Sequence, residues 1–216
     1  VPKVVWKHSR AVPIILWLLL ASGVLMVAWP HIDERIQEQK QDELLTGWTA
    51  QSRTTSAPSP SQPSAPVWEE IDGIPVMGTI TVDKLGLHEP LLQGADALPL
   101  QYGIGVVEAD RRPGEPANFV LAGHRSFKPG KHFNRLGELE RGDLIKIESA
   151  DGVFTYAVAQ AYLVEPDDLS VLESRPGAAE LTLITCHPMR NPTHRLIVKA
   201  TLMQERGNQV AGEVEK

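Results

Sequence analysis

Residues 11–29 read AVPIILWLLLASGVLMVAW, nineteen consecutive positions without a charge. This run limits the fold more than any other segment. In hydrocarbon every backbone N–H and C=O must be paired inside the chain, and a single segment can do that only as a helix. About 20 apolar residues span a bilayer in that form. Lys3, Lys7 and Arg10 precede the run, and Asp33 and Glu34 follow it. Excess positive charge stays on the cytoplasmic side, so residues 1–10 are expected there and everything beyond residue 29 outside. Trp29 sits where an interfacial anchor would. A cleaved signal peptide is the competing reading, but its apolar core is typically about 7–15 residues and ends in an A-x-A-like site. No such site occurs here. The expectation is an uncleaved single-pass anchor in the cell membrane.

Beyond the anchor, residues 30–48 are polar and helix-prone, with a thin apolar stripe of Ile32, Ile36, Leu44 and Leu45. They are expected to form an exposed juxtamembrane helix, a solvated stalk. Residues 49–66 are dominated by Ser, Thr, Pro, Ala and Gln, which cannot bury a core and form an extended spacer. Residues 67–203 are globular in composition, and residues 204–216 are a polar tail. Apolar runs in the globular part are short and separated by turn residues, as in a β domain. Candidate strands cover 78–82, 87–91, 104–107, 118–122, 144–147, 154–164, 181–186 and 195–202. Short helical turns are expected at 97–102 and 132–136. The segment Ala150-Asp151-Gly152-Val153 is a hairpin signal. Eight short strands suggest a barrel or a sandwich. The net charge of −6 and the lack of a Lys/Arg run argue against a nucleic-acid partner.

Cys186 is the only cysteine in the chain, and it ends an apolar run, Leu181-Thr-Leu-Ile-Thr-Cys-His-Pro188. Outside the cytoplasm cysteines are usually paired. A lone one is inert, paired between molecules, or a reactive nucleophile. Two further apolar strands present a polar group near one end: Phe119-Val-Leu-Ala-Gly-His-Arg125 and His194-Arg-Leu-Ile-Val-Lys-Ala200. If the strands bearing Cys186 and Arg195 pair as an antiparallel hairpin, the two residues lie side by side. A guanidinium there favours a thiolate and can donate to an oxyanion. A base must come from histidine. His8 and His31 flank the membrane span, and neighbours on a strand point to opposite faces, which disfavours His187 and His194. His124 is best placed, after a strand and a glycine that permits close approach. An ordinary surface or core imidazole is the alternative.

T-L-I-T-C followed by proline, the upstream L-A-G-H-R and the downstream R-L-I-V-x-A together resemble the sortases, Gram-positive cysteine transpeptidases. His124, Cys186 and Arg195 match that family's catalytic positions in the expected order, and the resemblance covers nearly all the globular part. Papain-like and NlpC/P60 cysteine peptidases place the cysteine before the histidine, and this chain does not. The resemblance implies an eight-stranded sortase-type β-barrel, mostly β with short helices. No cofactor and no metal site is expected, although some members of that family bind calcium. The partners the resemblance implies are secreted proteins carrying an LPxTG-like C-terminal signal and the amine of a cell-wall precursor. Cys186 would form a thioester with the signal, His124 would move protons, and Arg195 would hold the peptide and the oxyanion.

The loop at 165–179 would form a wall of the peptide groove, with Leu169, Val171, Leu172 and the nucleophile's neighbour Thr185 as candidate substrate contacts. Ordinary loop packing is the alternative for the three loop residues. Asp167, Asp168 and Glu173 lack EF-hand-like spacing and read as a solvated loop. The short C-terminus and the L-I-T-C-H-P context resemble class D or class E, which prefer LPNTA or LAxTG signals. A sortase-fold binding module without catalysis and a sortase-fold hydrolase stay open beside the transpeptidase.

Overall fold

The computed structural model describes residues 11–52, 65–128 and 130–203. The expected cytoplasmic segment, most of the spacer and the polar tail lie outside them. Residues 1–40 and 41–216 form two compact units.

The first helix, α1 (Ala11–Ser52), contains the whole apolar run and continues through Pro30. Its apolar part has a mean hydropathy of 2.0 and is not buried against the rest of the chain. Side chains from Ile14 to Val27 lie open, as they would toward lipid.

After α1 come β1 (Glu69–Ile71), β2 (Ile74–Val82), β3 (Leu87–Gln93), a short helix α2 (Ala97–Tyr102), β4 (Ile104–Val106) and β5 (Asn118–Ala122). β6 (Leu144–Ser149), β7 (Gly152–Val164), β8 (Glu180–His187) and β9 (His194–Leu202) follow. The order across the sheet is β1-β2-β3-β4-β5-β8-β9-β7-β6, and β6 pairs back onto β2. That last pairing closes β2 to β9 into an eight-stranded barrel, with β1 as a short hairpin partner of β2. All eight expected strands are present. α2 spans the expected residues 97–102, whereas the turn expected at 132–136 becomes helical only at Leu136–Glu138, as a 3-10 turn.

The barrel follows from alternation. β6 buries every second side chain, with Ile145 and Ile147 inside. β6 and β7 meet at the expected hairpin, where Ser149 pairs with Gly152. Gly152 has φ +130°, a backbone that disfavours other residues. Inside, Leu87, Leu91, Phe119, Leu121, Phe133, Ile147, Tyr156, Leu181, Leu183, Leu196 and Val198 belong to one core. The Tyr156 hydroxyl is buried and accepts a hydrogen bond from Gly114 N at 2.7 Å. Burial pushes its pKa up to about 12.

The solvated-stalk expectation is corrected for the last turns of α1. Leu44 and Trp48 are buried with Val76 and Leu92, and Ile71, Ile74, Tyr102 and Ala150 pack around them. Leu44 and Trp48 are one turn apart, so they share a helix face. Between them Gly47 lets the helix approach β1, since a Cβ there would lie 2.7 Å from Ile71 Cγ2. The folded unit therefore begins at Gln41 and not at 67.

Trp48→Ala should destabilise a Gln41–Lys216 fragment by about 3–5 kcal/mol in a denaturant titration. A fragment starting at residue 67 should unfold at lower denaturant than the Gln41 fragment. Equal midpoints would return Leu44 and Trp48 to the status of stalk residues.

Candidate active site

Three neighbouring strands build the site. β8 and β9 are antiparallel, with Cys186 directly opposite Arg195. β5 runs parallel to β8, with Ala122 level with Ile184. Gly123 N continues that ladder to Ile184 O at 3.1 Å. His124 is therefore delivered two residues beyond the strand end, level with Cys186.

Side-chain alternation assigns the faces. Phe119, Leu121, Leu181, Leu183, Leu196 and Val198 belong to the interior core. Residues at alternate positions point outward, and these include Cys186, Arg195 and the His124 position. The outer rows behind them carry Ala122, Ile184 and Ile197, then Val120, Thr182 and Lys199. Val120 and Ile197 are fully buried, whereas Ala122 and Ile184 are half-buried. The result is an apolar floor leading up to the thiol, and the thiol itself is free and half-buried.

Gly123 explains the local sequence. A Cβ there would lie 2.7 Å from Phe133 Cδ2 and 2.8 Å from Ile104 Cδ1. Only glycine lets the chain turn outward at this height without displacing the core. Thr185 holds the same point from the other side, its hydroxyl donating to Gly123 O at 2.8 Å. It is buried and faces inward. The expected substrate contact by Thr185 is thus replaced by a structural one, because a neighbour of Cys186 on a strand points to the opposite face.

The barrel histidines divide clearly. The His187 ring lies 2.6 Å from Arg125 Nη1. Arginine can only donate, so His187 Nδ1 is the acceptor and carries no proton. Arg125 also reaches Cys186 O at 3.4 Å. His194 is flanked by Thr193 Oγ1 and, at 3.5 Å, by Glu165. His88 meets Thr81 Oγ1, and His132 meets Glu89. Among the described residues the His124 ring has no such hydrogen-bond partner. Desolvation first, and the neighbouring His132 second, lower its pKa from the ordinary value of 6.5.

The loop between β7 and β8 closes over the far end of the outer face. Its 3-10 turn Leu169–Leu172 is capped by the Asp168 carboxylate, which accepts from Ser170 N at 3.0 Å. Val171 is buried, and its carbonyl accepts from Asn118 Nδ2 at 2.9 Å and from Lys199 Nζ at 3.0 Å. Asn118 Oδ1 accepts in turn from Thr182 Oγ1 at 2.6 Å. The Val171 side chain is loop packing, whereas Leu169 is 70% exposed and Leu172 half-buried. Asn118 and Lys199 carried no signal in the sequence. A buried asparagine opening a strand becomes visible only when the strand's neighbours are known. Burial lowers the pKa of Lys199.

A Sortase domain family model matches residues 80–203, more than half of the chain. Sortase D of Bacillus subtilis (strain 168) is 34% identical over 111 residues, 51% of this chain and 54% of that protein. Sortase A of Bacillus anthracis is 28% identical over 205 residues, 91% of this chain and 97% of that protein. This chain thus spans about half the length of the first relative and nearly all of the second. Among solved structures, a Clostridium perfringens Sortase D5 transpeptidase superposes with a TM-score of 0.58 at 25% identity. That match covers 78% of this chain and 99% of the other. Sortase C1 from Streptococcus agalactiae superposes with a TM-score of 0.56 at 32% identity, covering 60% and 68%.

The lowered pKa of His124 has a direct readout. In a histidine NMR titration of the full chain in detergent micelles, its ring should titrate below 6.5. A midpoint at or above that value would mean that the ring is neither desolvated nor influenced by His132.

Proposed function

The chain belongs to the sortase family, whose members are cysteine transpeptidases, and from that premise we propose a specific course for its reaction. The protein is a membrane-anchored transpeptidase, held by α1 with its N-terminus in the cytoplasm and its barrel outside. It cleaves an LPxTG-like C-terminal signal on secreted proteins and transfers them to an amine of a cell-wall precursor. The observation that carries this reading is the single outward row of His124, Cys186 and Arg195.

In the first step the Cys186 thiolate adds to the carbonyl carbon of the signal's fourth residue. The carbonyl electron pair moves to oxygen, and the Arg195 guanidinium donates to that oxyanion. The C–N bond then breaks, and protonated His124 gives its proton to the departing amine. A thioester on Cys186 remains. In the second step an incoming amine adds to the thioester, His124 takes the amine's proton, and the thiolate leaves. Two easier acyl transfers replace one hard one.

The apolar floor of Ala122 and Ile184 supports an extended peptide arriving along the outer face. Exposed Leu169 and half-buried Leu172 line the loop wall above it and are the remaining loop contacts for an apolar signal residue. Productive chemistry needs a thiolate beside an imidazolium, so activity should form a bell in pH. Its limbs belong to the coupled pair and not to either residue.

Cys186→Ala should abolish both cleavage and acyl-enzyme formation on an LPxTG-like peptide, read by mass spectrometry. Retained turnover would remove the mechanism.

Arg195→Lys should leave the protein folded and lower kcat/KM by about tenfold or more. Lysine keeps the charge but lacks the planar fork of donors. Wild-type kinetics in that variant would reduce Arg195 to a diffuse positive charge. Adding an amine nucleophile should divert product from hydrolysis to transfer, and a product ratio indifferent to the amine would indicate a hydrolase.

A further inference from the structure

Glu89 is a carboxylate inside the barrel with no role in the reaction above. It alternates with Leu87 and Leu91 on β3, so it points into the core, and it is 1% exposed. A buried charge in such a place is strongly disfavoured unless it is paired. Both of its oxygens are engaged by one residue. Oε1 accepts from the backbone N–H of His132, and Oε2 lies 2.8 Å from the ring Nδ1 of the same residue. His132 is itself buried and has φ +50°, the left-handed region that non-glycine residues seldom adopt. Such a conformation persists only where its surroundings over-determine it. The double grip of Glu89 is that over-determination.

The turn that Glu89 holds is coupled to His124 in two ways. Phe133, the next residue, donates its N–H to His124 O at 3.0 Å. The His132 ring meets the His124 ring edge-on, with centroids 6.4 Å apart and planes at 66°. Backbone and ring of His124 are both braced by a segment whose shape depends on one buried carboxylate.

We propose that Glu89 and His132 are positioning residues for His124. The carboxylate clamps His132 in its left-handed turn, and the turn holds the His124 ring at the height of Cys186. This rests on the reading of His124 as the proton-transfer group. The charged and titratable groups around that ring are His132 from the turn, Glu89 behind it on β3, Arg125 next in the chain, Cys186 on β8 and Arg195 on β9.

The test uses the full chain in detergent micelles. His132→Asn keeps a residue that tolerates the left-handed turn and a side-chain donor for Glu89, but removes the ring. It should stay folded, with kcat on an LPxTG-like peptide down about tenfold and KM within about twofold. The His124 NMR midpoint should rise, because the neighbour whose charge lowers it is gone. Glu89→Gln preserves shape, weakens the clamp and should lower kcat in the same direction, and it carries the test if His132→Asn does not fold. An unchanged kcat with an unchanged His124 midpoint overturns the proposal. So does a lower Tm with unchanged kcat, which would make the pair a stability element alone. Should the wild type not cleave the peptide, the reading of the function fails, while the His124 midpoint still decides the coupling separately.

Discussion

The pairing of β5 with β8, and of β8 with β9, is the constraint on which the site depends. Parallel strands have evenly spaced bonds, and side chains alternate with a period of two. A slip of one residue in either pairing would turn Cys186 or Arg195 from the outer face into the core. The interior guards against that slip. Phe119, Leu121, Leu181, Leu183, Leu196 and Val198 all belong to one hydrophobic cluster, and each lies on the face opposite the site row. Packing that stabilises the barrel therefore also fixes which side chains meet outside it.

Much of this was legible in the sequence, for identifiable reasons. Short alternating runs bounded by turn residues mark the eight barrel strands. The opposition of Cys186 and Arg195 follows from hairpin pairing across a turn-rich loop, and the register bears it out. Gly123 before His124 signals a close approach, and Phe133 and Ile104 are what it approaches. The resemblance to sortases rests on three segments read together, and the family match covers them.

Other parts were not legible. Leu44 belongs to a thin apolar stripe and Trp48 adds one more apolar position a turn later, a pattern that a solvated stalk could also carry, so their burial against Val76 and Leu92 is a tertiary fact. Glu89 sits in a strand where alternation calls for an apolar residue, and nothing local announces its partner 43 positions away. Thr185 and Val171 were expected at the substrate. Both are held by hydrogen bonds to residues distant in sequence, Thr185 to Gly123 and Val171 to Asn118 and Lys199.

The position of β9 in the sheet bears on how the chain is made. Among the described residues it is the last strand in chain order, yet it lies between β8 and β7 and not at an edge. A chain synthesised from its N-terminus has every other strand available before residues 194–202 appear. Without β9, β7 keeps only β6 as a neighbour and β8 only β5, and their other edges are open templates for pairing with another chain. The pairing of β9 with β8 is a local hairpin, His187 opposite His194, whereas its pairing with β7 joins distant residues, Val164 with Arg195 and Tyr156 with Leu202. The hairpin also brings Arg195 beside Cys186. The Cys186–Arg195 pair thus comes into being together with the finished fold, and a chain without β9 carries the thiol with no guanidinium opposite it.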